Sequence, residues 1–189
     1  MKSKFAALLL TALAPVSAFA HTGHSHESHS FMSGLSHPVT GFDHLIMLVA
    51  FGMLLGAIPF SKAKKGATIA VALVSLLSGL LIGQALGFAT LVEPLIIASL
   101  FVVSLALWQV YSPTTQRINV AVSSSIALLF FHGYAHGVEA AANLTQFGLG
   151  MMLSATGLIV FGALVSRAFY SKWFSVAVAS LSTLFLLTN

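Results

Sequence analysis

The chain has 189 residues, of which 58% are hydrophobic and only 6% are charged. A soluble globular domain carries charged residues at roughly a quarter of its positions, so water is excluded as the main solvent of this chain. The formal net charge of +4 does not indicate nucleic-acid binding, because the basic residues lie at the ends of apolar runs and form no stripe. Cysteine is absent, so any metal ion must be held by nitrogen, oxygen or thioether ligands.

Residues 1–20 have the pattern of a secretory signal peptide. Two lysines precede an apolar stretch, and a small-x-small cleavage site ends at Ala20. Cleavage there leaves His21 as the mature N-terminus. The alternative is an uncleaved first span, but the stretch is short for a bilayer and Pro15 interrupts it.

The next segment, 21–36, is polar and contains four histidines. It has little apolar material from which to build a core, so we expect a flexible extracytoplasmic tail. After cleavage its free amine would lie next to imidazoles, which favours weak capture of metal ions.

Residues 37–189 are predicted to form a transmembrane helical domain. At 1.5 Å per residue, six apolar stretches are long enough, or nearly so, to cross a bilayer as helices. These stretches are 39–59, 67–88, 93–111, 119–140, 146–166 and 172–188. The sequence therefore predicts an all-α, polytopic transmembrane helix bundle of about six spans, with five or seven also compatible.

The basic residues indicate how this bundle is oriented. With the mature N-terminus outside, the connectors 60–66, 112–118 and 167–172 lie inside. They hold all of the mature chain's basic residues, Lys62, Lys64, Lys65, Arg117, Arg167 and Lys172. The connectors 89–92 and 140–145 hold none, in agreement with the positive-inside rule. We expect a protein integral to the bacterial cytoplasmic (inner) membrane, with its mature N-terminus extracytoplasmic.

Glycines recur at every fourth position in three of the apolar stretches. They are Gly52 and Gly56, then Gly79, Gly83 and Gly87, then Gly133 and Gly137. Such repeats predict that helix backbones approach each other closely, as in a compact bundle.

Ionisable side chains within the apolar stretches are the main functional clue, because hydrocarbon excludes them unless they are paired, hydrated or metal-bound. His132, His136 and Glu139 follow spacings of four and three and share one helical face. The two imidazoles could close on one divalent cation, whereas His132 and Glu139 lie about 10.5 Å apart along the axis. This face is predicted to form a ladder of ligands. The alternative is a set of histidines bonded to neighbouring helices.

A second group comprises His37, Asp43 and His44. Pro38 suits the first turn of a helix, so Asp43 and His44 should lie about a turn or more inside the outer boundary. Adjacent side chains on a helix diverge by about 100°, so these two need not face one ion. One of them could bind metal while the carboxylate fixes the imidazole tautomer. Alternatively, Asp43 caps the helix or pairs locally.

Three further residues are weaker candidates. Glu93 lies beside Pro94 at the start of a span, where a helix N-terminus favours an acid in any case. Met47 and Gln84 are expected to pack rather than to bind metal.

These residues form two motifs that resemble the HupE/UreJ family of hydrogenase and urease accessory proteins, which are regarded as nickel and sometimes cobalt permeases. The motifs are His37-Pro38-x-x-Gly41-x-Asp43-His44 and Phe131-His132-Gly133-x-Ala135-His136-Gly137-x-Glu139. The resemblance implies nickel transport, with His37, Asp43 and His44 carried over from the first motif and with Glu93 and Glu139 as acidic partners. The histidine-rich tail is the part least characteristic of the family.

We therefore expect a permease, not an enzyme, that carries Ni²⁺ as its transported ion and needs no prosthetic group; Co²⁺ and Zn²⁺ compete for the same donors. One alternative is an intramembrane zinc-dependent hydrolase in which Asp43 or Glu139 activates water. Another is a non-transporting metal-binding accessory protein. The expected partners are the metal ion and the lipid bilayer, and a homo-oligomer and a cytoplasmic nickel chaperone are compatible with the sequence.

Overall fold

The structure is a computed structural model that describes residues 31–111, 117–139, 144–169 and 171–188. These residues contain helices and no strands, which confirms the predicted all-α class. The helices are α1 (Phe31–Thr40), α2 (Phe42–Ala57), α3 (Lys62–Leu86), α4 (Val92–Tyr111), α5 (Ile118–Glu139), α6 (Leu144–Ala168) and α7 (Trp173–Thr188). The predicted signal peptide and residues 21–30 of the tail lie outside the described residues.

The described helices provide four or five candidate membrane spans, fewer than the six expected. Four helices, α3 to α6, are each long and apolar enough to cross a membrane. The helices α1 and α2 pass this test only together, as a pair bent by 78°, and α7 is a shorter apolar helix. The expected span 39–59 is broken at Gly41, which leaves α2 with 16 residues where a full crossing needs about 20.

The helix α1 begins earlier than the sequence predicted. Residues 31–36, expected at the end of the tail, lie in α1, and Pro38 lies in its last turn rather than in a first turn. Proline lacks the N–H that would bond to the carbonyl four residues earlier, which weakens this turn, and α1 ends two residues after Pro38. The bend keeps its backbone groups paired, because the Gly41 N–H donates to the His37 carbonyl at 2.8 Å and the Gly41 carbonyl accepts from Leu45 at 2.9 Å.

The backbones of α3 and α5 are in direct contact. A Cβ atom on Gly79 would overlap the carbonyl oxygen of Phe130, and one on Gly133 would overlap the backbone of α3. Gly83 and Gly137 lie one turn further along the same contact. The predicted close approach is confirmed for these four glycines.

A similar contact joins α2 to α6. Gly52 and Gly56 lie against carbonyl oxygens of α6, so a side chain on either would overlap that helix. The prediction is wrong for Gly87, where a Cβ would meet no atom within 4 Å. Gly87 instead caps the C-terminus of α3 with a φ of 75°, a conformation that glycine adopts without strain.

The two ends of the bundle differ in polarity. The glycine contacts run in the same chain direction on both helices, so α3 is parallel to α5 and α2 is parallel to α6. One end therefore holds the starts of α3 and α5 and the last turns of α2 and α6. The described basic residues lie at that end, and they are Lys62, Lys64, Lys65, Arg117, Arg167 and Lys172. The histidines of the two motifs lie at the opposite end.

Gly79→Ala should lower the stability of the bundle in detergent by roughly 1–3 kcal/mol, because its methyl group would overlap the α5 backbone and force the helices apart. The matched control is Gly157→Ala, at an exposed position on α6 where a Cβ meets no atom within 4 Å. Thermal unfolding followed by tryptophan fluorescence would measure both. Equal stability of the two variants would contradict the proposed contact.

Candidate metal centre

Three helix ends bring the candidate ligands together. His37 lies in the last turn of α1, and Asp43 and His44 lie in the first turn of α2. His132 and His136 lie near the C-terminus of α5. The bend between α1 and α2 turns both sides of the first motif towards α5, so the two motifs meet at one end of the bundle.

The five side chains form two ligand groups of three residues each. The first group is His37, His44 and His136, and the second group is Asp43, His44 and His132. Within each group, one ligand atom of every residue lies within 4.8 Å of the other two. His44 belongs to both groups, so they are adjacent positions joined by a shared imidazole.

Both ring nitrogens of His44 have partners. Its Nδ1 lies 2.7 Å from Oδ1 of Asp43, and its Nε2 lies 2.6 Å from Nε2 of His136. An ionised carboxylate only accepts hydrogen bonds, so the His44 Nδ1–H donates to Asp43. In the neutral ring Nε2 then carries a lone pair, which accepts from His136. This geometry favours the alternative in which Asp43 orients the imidazole and leaves Nε2 of His44 as the ligand nitrogen.

His132 and His136 belong to different ligand groups, although their spacing predicted that they could close on one ion. The ring of His44 contacts both of them, with centroid distances of 4.8 Å to His132 and 4.3 Å to His136. The spacing of the two histidines within α5 does not show where His44 of α2 lies. The imidazole that α2 contributes gives each of the two histidines its own group.

The two groups have the same pattern of burial, because each combines one partly buried residue with two buried histidines. His132 and His136 are 1% and 3% exposed, whereas His37 and Asp43 are only partly buried. His132 lies about one turn of α5 farther from this end of the bundle than His136, so the second group extends deeper than the first. Asp43 supplies a negative charge to the second group, and such a charge offsets part of the cost of removing a dication from water.

The remaining predicted residues lie elsewhere. Glu93 is exposed in the first turn of α4 and belongs to neither group. Glu139 is the last residue of α5, and its side chain lies outside the described part of the structure, so the ligand roles of both glutamates stay predictions. Met47 is fully buried in the apolar core, and Gln84 is exposed.

One polar contact of the site was missed in the sequence. Ser99 of α4 is fully buried, and its Oγ lies 2.8 Å from Nε2 of His132. A serine in an apolar helix is a weak signal, because its hydroxyl often bonds to the carbonyl of its own preceding turn. Only the packing of α4 against α5 shows that Ser99 faces the second group.

The donor atoms define which ions could bind. The first group offers three imidazoles, and the second offers two imidazoles and a carboxylate. Nitrogen and oxygen donors of this kind suit Ni²⁺, Co²⁺, Cu²⁺ and Zn²⁺, and the absence of cysteine excludes a thiolate site. Both groups therefore fit a divalent transition-metal ion.

The family described as HupE / UreJ protein matches residues 8–187, which is nearly the whole chain. The match includes both ligand groups and every described helix except the last residue of α7. Comparison with curated proteins and with solved structures finds no match.

Gly41→Ala should weaken metal binding about tenfold, within the range found when partners of a ligand are disturbed. Its methyl group would lie 3.1 Å from Nδ1 of His44 and 3.5 Å from Oδ1 of Asp43, so the bonded pair would have to shift. The backbone itself tolerates alanine, because φ at Gly41 is −76°. Calorimetric titration with Ni²⁺ in detergent would measure the change.

The control for this prediction is Gly66→Ala, at a helical glycine where a Cβ meets no atom within 4 Å. It should bind Ni²⁺ like the wild type. Unchanged affinity in Gly41→Ala would show that the bend does not hold the Asp43–His44 pair in its binding geometry.

Proposed function

The chain belongs to the HupE/UreJ family, and from this premise we propose that it is a membrane permease for a divalent transition-metal ion. Nickel is the favoured ion, cobalt is the alternative, and the delivered ion would supply hydrogenase or urease maturation. The family and its apolar helices establish an integral membrane protein with a metal-related accessory or permease role. The transported ion and the direction of transport are the parts that we propose.

The observation that carries the proposal is the pair of ligand groups that share His44. A hydrolase would need one closed site that holds zinc through three ligands and leaves a fourth position for water. Two adjacent groups with a common imidazole support the transfer of an ion from one group to the other instead. An ion held by the first group could pass to the second while His44 stays within reach of it, so the ion would not lose all its ligands at once.

The preference for nickel comes from the family and not from the donors. Imidazole and carboxylate bind copper more tightly than nickel, and cobalt and zinc are close competitors. Selectivity would therefore depend on the geometry of the two groups and on which ions reach them. Transport assays must compare Ni²⁺ with Co²⁺ and Zn²⁺.

The membrane potential is a sufficient driving force for this proposal. A dication gains about 4.6 kcal/mol per 100 mV when it moves to a negative interior. That energy corresponds to inward accumulation on the order of a thousandfold. We therefore propose facilitated diffusion from the extracytoplasmic side.

The proposed orientation follows from the polarity of the bundle. The basic residues lie at the end opposite to the ligand groups, and such residues favour the cytoplasmic side. We place the ligand groups and the mature N-terminus on the extracytoplasmic side of the bacterial cytoplasmic membrane. The ion would then meet the partly exposed His37 before the buried His132.

Asp43→Asn and His44→Ala should each lower Ni²⁺ flux on the order of a hundredfold. Asp43→Asn keeps the size of the side chain but removes the charge that offsets desolvation of the ion, and His44→Ala removes the shared ligand. The measurement is initial uptake of radioactive nickel into proteoliposomes with an imposed inside-negative potential. Rates are normalised to inserted protein.

The control for the uptake assay is Gln84→Ala, because Gln84 is an exposed polar residue near the same end of the bundle and outside both groups. Its flux should stay near that of the wild type. Wild-type flux in both Asp43→Asn and His44→Ala would remove the site assignment. If the wild type bound Ni²⁺ without any flux, the non-transporting accessory role would replace the permease.

Single-cysteine labelling should confirm the orientation, since the chain has no cysteine of its own. A membrane-impermeant thiol reagent added to intact spheroplasts should label Gln146→Cys, at the start of α6, and should spare Ala63→Cys, at the start of α3. Both positions are exposed, so each serves as the control for the other. The reverse labelling pattern would overturn the proposed orientation.

A further inference from the structure

The hydroxyl of Ser99 connects α4 to a ligand of the second group. Ser99 is fully buried, with its Oγ 2.5 Å from the carbonyl oxygen of Ile96 and 2.8 Å from Nε2 of His132. Nothing in the spacing of the sequence singles out this residue, and neither the ligand groups nor the proposed transport step includes it.

The two contacts determine where the protons lie. A serine hydroxyl has one proton to donate, and a carbonyl oxygen can only accept. Two oxygens 2.5 Å apart require that proton between them, so Ser99 donates to Ile96. Its Oγ is then an acceptor for His132, and the proton of the His132 ring must lie on Nε2.

The other ring nitrogen of His132 is left with a lone pair, because a neutral imidazole carries only one N–H. Within the described part of the structure, Nδ1 of His132 is buried and has no hydrogen-bond partner. A buried acceptor without a partner lowers stability and calls for an explanation, such as an ion that binds there. The second group offers such an ion site, since one ring nitrogen of His132 lies within 4.8 Å of ligand atoms of Asp43 and His44. Because Nε2 is bonded to Ser99, Nδ1 is the nitrogen left for an ion.

We propose that Ser99 is a positioning residue that holds His132 in the Nε2–H tautomer and thereby offers Nδ1 to a divalent transition-metal ion in the second group. The inference rests on the proposed function, because it assigns a ligand atom of the same site. On this proposal, the two histidines of the second group, His44 and His132, have opposite tautomers. Asp43 holds the proton of His44 on Nδ1 and leaves Nε2 for the ion, whereas Ser99 does the reverse for His132.

The first test reads the tautomer of His132 in the wild-type chain, without any metal in the sample. In the full chain, labelled with ¹⁵N-histidine and reconstituted in lipid, nitrogen NMR distinguishes a protonated from an unprotonated ring nitrogen. The signals of His132 are assigned by their loss in His132→Ala. We expect a protonated Nε2 and an unprotonated Nδ1, and a protonated Nδ1 would overturn the proposal.

The second test removes the acceptor. Ser99→Ala should populate both tautomers of His132 and lower the affinity for Ni²⁺ on the order of tenfold, whereas Ser99→Thr keeps the hydroxyl and should restore both properties. The matched control is Ser104→Ala, because Ser104 is also a buried serine of α4 but donates to the carbonyl of Ser175 on α7. It should change neither the tautomer nor the affinity.

The outcomes separate this inference from the proposed function. If the wild type binds and transports Ni²⁺ but Ser99→Ala keeps the wild-type tautomer and affinity, the role of Ser99 is overturned and the permease stands. If the wild type binds no Ni²⁺, the proposed function fails and the ligand role of His132 fails with it. Equal losses in Ser99→Ala and Ser104→Ala would show a structural role of buried serines and would overturn the inference.

Discussion

Close contact between the backbones of α3 and α5 is the constraint on which the metal centre depends. In α5 each ligand histidine is followed directly by a contact glycine, His132 by Gly133 and His136 by Gly137. Adjacent positions on a helix point about 100° apart. The glycines therefore hold one face of α5 against α3 while the histidines of the neighbouring face point towards α1, α2 and α4. A side chain at either glycine would overlap α3 and force α5 to shift, which would change the positions of both imidazoles relative to His44.

Hydrogen bonds join several polar groups of the centre, although Nδ1 of His132 has no such partner within the described residues. Asp43 bonds to His44, His44 bonds to His136, and His132 bonds to Ser99. Each bond removes a cost that an apolar bundle would otherwise impose on a buried donor or acceptor. These bonds join α2 to α5 and, separately, α5 to α4, so the same bonds that allow the histidines to be buried also restrain the positions of their ligand atoms.

Features that depend on one helix at a time could be predicted from the sequence, and features that depend on two helices could not. The helical class, the shared face of His132 and His136 and most of the contact glycines follow from composition and spacing within one segment. The grouping of His132 apart from His136 depends on where α2 places His44, and the contact of Ser99 depends on the packing of α4. The bend at Gly41 was also hidden, because Pro38 fits the start of a helix as well as its last turn.

Because the two groups share His44, they could hold two ions at once or one ion in two alternative positions. If two dications in adjacent groups were separated by about 5 Å, they would repel each other by roughly 13 kcal/mol at an effective dielectric constant of about 20. Asp43 is the single carboxylate in the two groups and could neutralise only a part of that charge. His44 would also have to serve both ions, although Asp43 already holds its Nδ1. Single occupancy is therefore favoured, and in the proposed permease one ion would exchange His37 and His136 for Asp43 and His132.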